Sequence, residues 1–164
     1  MYPLSRFVLL GALLTPCQAL LAQTCQSDYP GTTPTERFTI QNDTVYDTQT
    51  GLTWKRCYQG LSGTDCNQGT ALEFTWEQAL QTAEAEAGWR LPNIKELQSI
   101  VERQCYSPAL NTQVFPGDTA FNVWSSSPNA GKTGGAWFVY FYTGTAYGDG
   151  RNNAWQVRLV RSGQ

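Results

Sequence analysis

The sequence predicts an α+β domain: two helices among short antiparallel sheets and long loops, stapled by two disulfides. Three observations predict it. Apolar residues alternate at every second position near both ends of the chain and recur at helical spacing only in the middle. Two N-cap signatures, Thr75 with Gln78 and Asn93 with Glu96, open the helical stretches. Four cysteines follow an N-terminal segment with the features of a secretory signal.

In that segment Arg6 precedes an apolar run, Phe7 to Leu14, and small residues follow at Ala19 and Ala22. Residues 1–22 are therefore expected to be a signal peptide cleaved after Ala22 or Ala19. The run is too short for a stable membrane span. A lipoprotein reading would use Cys17, but Pro16 before it fits poorly. The expected location is secreted, periplasmic or cell-surface. Residues 23–36 read as an extended arm with Pro30, Gly31 and Pro34, and residues 37–164 as the globular domain.

Arg37 to Ile40 and Thr44 to Asp47 alternate like strands around a turn at Gln41 to Asp43. Thr50-Gly51 turns the chain into a third strand, Leu52 to Lys55. Four cysteines allow three pairings. Cys57 and Cys66 bracket a short polar loop and are the expected local pair, which leaves Cys25 with Cys105. A four-thiolate metal site is the rival, but no C-x-x-C spacing supports it. The first helix follows Thr75, with Trp76, Ala79, Leu80, Ala83 and Ala87 on one face, and Gly88 is placed to end it. Pro92 makes Trp89 to Leu91 extended, and Asn93 caps a second helix running to about Arg103. Pro108 to Asp118 reads as loop and Ala120 to Ser125 as a buried strand. Ala136 to Tyr142 is a strand, Gly144 to Gly150 a Gly-rich turn, and Ala154 to Arg161 a last strand with Trp155, Val157 and Leu159 on one side.

Composition excludes several functions. There is no histidine, so His-based triads and most zinc sites are out. The formal net charge of −2 gives no basic surface for nucleic acid. No cofactor and no metal are expected. The strongest functional signal is the alternation in Ala136 to Tyr142. If Trp137, Val139 and Phe141 face inward, Phe138, Tyr140 and Tyr142 face solvent. With Thr145, Tyr147, Asp149, Arg151, Asn152 and Asn153 they would form a recognition patch for a protein or glycan ligand. The competing reading is a strand buried on both faces.

Four landmarks occur in order: Thr50-Gly51-Leu52-Thr53-Trp54, Trp89-Arg90-Leu91-Pro92-Asn93 to Glu96-Leu97, Trp124-Ser125-Ser126-Ser127, and Val157-Arg158-Leu159-Val160-Arg161. Together they resemble the bacterial family named for the C-terminal domain of the Legionella collagen-like adhesin, Lcl, over about Phe38 to Gln164. The resemblance implies a C-type-lectin-like fold and an adhesive function. The adhesin for which the family is named binds sulfated glycosaminoglycans as a trimer. This sequence has no collagen-like repeat, so its oligomeric state stays open. Its acidic balance argues against a broad polyanion-binding face. It also lacks the Glu-Pro-Asn and Trp-Asn-Asp motifs of calcium-dependent sugar binding. Two further readings follow from related architectures. One is a ligand-binding protein diversified near its C-terminus by a retroelement. The other is an enzyme related to sulfatase-modifying proteins, which use reactive cysteines; here the cysteines are expected in disulfides and no nucleophile with a base is seen. The expectation is a binding module and not an enzyme, with Arg90 and Arg158 holding the framework.

Overall fold

The computed structural model describes residues 23–117 and 121–163. The expected signal segment, with Cys17, lies outside the described residues. Among those described, no helix is long and apolar enough to cross a membrane. The architecture is α+β, with two helices, mostly small antiparallel sheets and two disulfides.

The arm pairs its first strand, β1 (Thr24–Cys25), with β7 (Cys105–Tyr106), and Cys25 stands directly opposite Cys105. Both disulfides follow the expected pairing, Cys25–Cys105 and Cys57–Cys66. After a short 3-10 turn at Thr35–Arg37, three strands run up, down and up: β2 (Phe38–Gln41), β3 (Thr44–Asp47) and β4 (Leu52–Lys55). Asn42 takes the left-handed conformation between the first two (φ 54°), a role that Asn tolerates. Asp47 organises the next turn. Its carboxylate accepts from the Gln49 N–H and the Thr50 hydroxyl, and Arg37 grips it with two guanidinium nitrogens. Both partners are nearly or fully buried. Burial pushes the Asp47 carboxyl up, but the bonds from Arg37, Thr50 and Gln49 outweigh it and hold the group below its ordinary value. Phe38, Val45, Leu52 and Trp54 leave this sheet for the core.

A small hairpin, β5 (Leu61–Ser62) with β6 (Gln68–Gly69), carries the short disulfide loop. Helix α1 (Trp76–Ala85) opens on the expected capping box of Thr75 and Gln78. Gly88 takes φ 81° just past its end. Arg90 then makes an isolated antiparallel bridge to Val160, which is the extended stretch that Pro92 dictates. Helix α2 (Ile94–Ser99) opens on the second capping box, Asn93 with Glu96. It is shorter than the sequence suggests. The chain leaves the helix at Ile100 because Val101 bridges Leu110 and the Glu102 carboxylate turns to the arm.

Three C-terminal strands form the second large sheet, in the order β10–β9–β8. Strand β8 (Asn122–Asn129) is longer than expected, and its register with β9 (Gly135–Tyr140) shifts between Trp124 and Pro128. The serines in that bulge hide the strand from a hydrophobic pattern. The Gly-rich stretch expected as a turn is a strand, β10 (Thr145–Gly150). Glycine is needed inside it: a Cβ on Gly148 would fall 1.9 Å from the Asn129 amide nitrogen. The last expected strand is regular only over β11 (Val160–Ser162), which joins the first sheet beside β4. Its upstream part, Gln156 to Leu159, is buried on both sides, so no alternation separates an inner from an outer face.

The core has two parts. One gathers Val45, Trp54, Leu97, Ile100, Phe115, Val123, Val139 and Phe141 between the first sheet, α2 and one face of β8–β9. The other gathers Ala79, Ala83, Leu91, Trp124, Ala136, Phe138, Val157 and Leu159 between α1 and the opposite face.

Glu102 anchors the arm to this body. Its buried carboxylate accepts from the backbone N–H of Thr32, Thr33 and Gln104 and from both threonine hydroxyls. Burial pushes its pKa up, and these donors pull it net below the ordinary 4.5. A depressed folded pKa stabilises fully above the unfolded value and ceases to stabilise as pH falls through the folded one. Acid melts of the wild type should therefore lose stability below about pH 4.5, whereas Glu102→Gln should lack this part of the slope. The disulfides give a second expectation. Closing loops with sequence separations of 80 and 9 predicts losses of ~4–5 and ~2–3 kcal/mol in denaturant titrations of the Cys25→Ser/Cys105→Ser and Cys57→Ser/Cys66→Ser pairs.

Candidate functional site

Strand register decides which side chains share a surface. Tyr140 pairs with Asn122 on β8 and with Thr145 on β10. Phe138 pairs with Trp124 and with Tyr147. Directly paired residues point to the same face of a sheet. One face of β8–β9–β10 thus carries Asn122, Trp124, Phe138, Tyr140, Thr145 and Tyr147. Its inner end is covered by the second core, with Trp124 and Phe138 buried. Its outer end is open.

The expected patch divides at this boundary. Phe138 is not a solvent-facing residue: it is 8% exposed, wedged against Trp124 and Trp155 with ring centroids 6.0 and 5.8 Å away. Trp155 and α1 fill the side that alternation alone would leave to solvent. Tyr140 is half-buried, while Tyr142 and Tyr147 are 38% and 48% exposed. Tyr140 and Tyr142 lie nearly parallel, 5.7 Å apart at 16°. Tyr147 packs on Phe138 with ring centroids 5.9 Å apart and planes tilted by 35°. Asn122, Phe138, Tyr140 and Tyr147 line an open groove of about 400 Å³. Thr145 is exposed beside it and bonds to the Thr143 hydroxyl.

Asp149, Arg151, Asn152 and Asn153 do not join this ledge. They lie at or beyond the other end of β10, where Asp149 is already about 13 Å from Thr145 at a rise of about 3.3 Å per residue. Arg151 stacks on Trp76 at 4.2 Å and donates to the Gly135 carbonyl. Asp149 meets Lys132 at 3.5 Å and accepts from the Gly150 N–H. Burial pushes its carboxyl up, yet bonds from Asn153, Gly150 and Lys132 hold it below its ordinary value. Asn152 and Asn153 are exposed in the following turn. These four finish the hairpin and the α1 junction.

Asn122 is the groove residue that the sequence does not reveal. Nothing in its own neighbourhood marks it; only cross-strand register sets it beside Tyr140. Among the described residues, neither its carboxamide nor the hydroxyls of Tyr140, Tyr142 and Tyr147 have hydrogen-bond partners. The framework arginines, by contrast, are held by partners or stacked rings. Arg90 makes a two-pronged pair with Glu96, both bonds 2.7 Å. Arg158 is fully buried, stacked on Tyr58 and Phe115 at 4.1 and 4.8 Å, and donates to the Lys55 and Arg56 carbonyls. Desolvation lowers its pKa. No group of histidine, cysteine or carboxylate side chains among the described residues is placed to hold a metal ion.

The β9–β10 turn sets the ledge. The N–H groups of Thr143 and Gly144 both donate to the Tyr140 carbonyl. Gly144 has φ 74°, and a Cβ there would fall 2.4 Å from Val101 Cγ1. Gly144→Ala should therefore cost roughly 1–3 kcal/mol in denaturant melts and shift the Tyr142 ring resonances in NMR spectra.

No curated protein matches the chain. Residues 43–161, well over half of the sequence, match the Lcl C-terminal domain. The matched span holds all four landmarks and both strands of the aromatic ledge, and the chain belongs to the Lcl C-terminal domain family.

Proposed function

We propose that this protein is an extracytoplasmic recognition module that binds its ligand on the outer end of the β8–β9–β10 face. The observation that carries this reading is the groove lined by Tyr140 and Tyr147, with Tyr142 stacked on Tyr140 beside it and their polar groups uncommitted. Tyrosine supplies broad, rigid contact area with a polar tip at small entropic cost. The family, named for an adhesin, supports binding at a surface, and the two disulfides support an oxidising setting. The signal segment expected at residues 1–22 agrees with export. The fold we infer is C-type-lectin-like. Long loops held by disulfides and a short mixed set of sheets are consistent with it. Binding is favoured over catalysis because the buried carboxylates of Asp47 and Glu102 are spent on the framework.

Retroelement diversification is a second reading. It is favoured by the placement of the exposed Tyr142, Thr145 and Tyr147 on a hairpin fixed by buried residues. A reverse-transcriptase gene and a near-copy of the last segment beside this gene would support it, and the absence of both would remove it.

The binding reading has a direct test. Labelled protein is applied to a glycan array and to arrayed cell-surface proteins. The triple variant Tyr140→Ala/Tyr142→Ala/Tyr147→Ala should lose the wild-type signal while its melting temperature falls by only a few degrees, since these rings are half-buried or exposed. Retention of the signal by the folded variant would move the site elsewhere.

A further inference from the structure

We propose that the ledge takes an uncharged sugar ring: its ligand is a neutral saccharide, not a sulfated one and not a peptide. The inference rests on the reading of the ledge as the binding surface and adds the chemistry of what lies there.

The groove has three properties that together select this class. Its walls are flat aromatic faces. Phe138, Tyr140 and Tyr147 line it, Tyr147 packs on Phe138, and Tyr140 is backed by the stacked ring of Tyr142. The face of an aromatic ring carries negative quadrupole density. The C–H groups on one side of a pyranose are polarised by the ring and hydroxyl oxygens, so they seat on such a face. Second, the polar groups at the groove are amide and hydroxyl only. The Asn122 carboxamide has donors and an acceptor on one planar group, which suits two neighbouring hydroxyls of one sugar. It has no partner among the described residues, and neither do the three phenols. Third, the lining of Asn122, Phe138, Tyr140 and Tyr147 holds no charge.

The last point separates this ligand from polyanions. A sulfate group is held by arginine or lysine through charge-assisted bonds. The cations that flank the β9–β10 hairpin are engaged: Lys132 with Asp149, and Arg151 with Trp76 and the Gly135 carbonyl. A volume of about 400 Å³ lies at the lower end of the usual range of about 300–1,000 Å³ for small-ligand sites, enough for a sugar residue and part of its neighbour. A more apolar concavity beside α1 is less suited. Its lining is charged, with Glu84, Arg90 and Glu96, and the last two already bond to each other.

The test is saturation-transfer NMR on the full mature protein with neutral hexasaccharides, namely cellohexaose, laminarihexaose, mannohexaose and chitohexaose, and with a heparin hexasaccharide as the charged arm. The expected result is transfer from the tyrosine rings to ring C–H protons of at least one neutral probe, unchanged between low and high salt. Tyr147→Ala and Asn122→Ala should weaken that binding at least about tenfold, while Tyr147→Phe, which keeps the ring, should lose less. Thermal melts confirm that each variant is folded. Binding of heparin alone, with loss at high salt, overturns the proposal. So does neutral binding that ignores both variants, or no transfer to any neutral probe. If the ledge variants abolish binding on the protein array while every neutral probe fails, the recognition surface stands and its ligand is a protein.

Discussion

Strand β9 has almost no solvent face. Val139, with Phe141 just past its end, enters the first core; Ala136 and Phe138 enter the second, and all four are buried. This double burial is the constraint on which the C-terminal half depends. A strand covered on both sides cannot slip register by one residue without exchanging its two sets of apolar side chains between cores of different shape. It therefore fixes β8 on one edge and β10 on the other. Tyr140 is the last residue of β9, where the cover ends, and Tyr142 follows in the turn. The ledge is thus the point where a clamped strand emerges. Tyr140 packs partly against the second core while Tyr142 and Tyr147 stay exposed, which is how a rigid surface can remain open.

The four landmarks turn out to be one connected structure. Val160 pairs with Trp54 across β11 and β4, and with Arg90 on its other side. Arg158 reaches the carbonyls of Lys55 and Arg56. The Ser126 N–H donates to the Pro92 carbonyl, and the Ser127 hydroxyl accepts from the Ile94 N–H at the start of α2. Trp89 receives the cations of Lys55 and Arg161 at 4.7 and 4.8 Å. Residues far apart in sequence meet here through backbone bonds and stacked cations, which require particular residue types at particular places. That explains how Trp89 to Leu97 can help identify the family without touching the ledge: it joins the first sheet, α2 and the β8 bulge.

Much of this was legible in the sequence, and the parts that were share a cause. The capping boxes at Thr75 and Asn93, the turn at Asn42 and the two disulfide pairs are set by residues close in sequence or by simple elimination. What was not legible depends on partners far along the chain. Alternation in Ala136 to Tyr142 correctly groups Phe138 with Tyr140, since both lie on one face. It cannot say that Trp155 and α1 cover half of that face. Strand β10 was hidden because Gly148 and Gly150 break its pattern, and Gly148 is there to admit the Asn129 side chain. Glu102 reads as another surface acid on a helix. It becomes a buried clasp only because the arm brings the Thr32 and Thr33 donors to it.

The contrast between Glu102 and Asn122 bears on function. In an interior, an unsatisfied polar group costs roughly 1–3 kcal/mol, so folded chains pair their buried donors and acceptors. Glu102 obeys this with five acceptor bonds from three residues. Asn122 is half-buried in an aromatic groove and bonds through its side chain to nothing among the described residues. Water can satisfy it there because the groove is open. A ligand that covers the rings removes that water, and must then supply both a donor and an acceptor to the carboxamide or bind at a loss. A flat apolar group would gain contact with the tyrosines and strand the amide. A polyhydroxylated ring gains the same contact and meets the amide as well, so the groove discriminates by what it leaves unpaired.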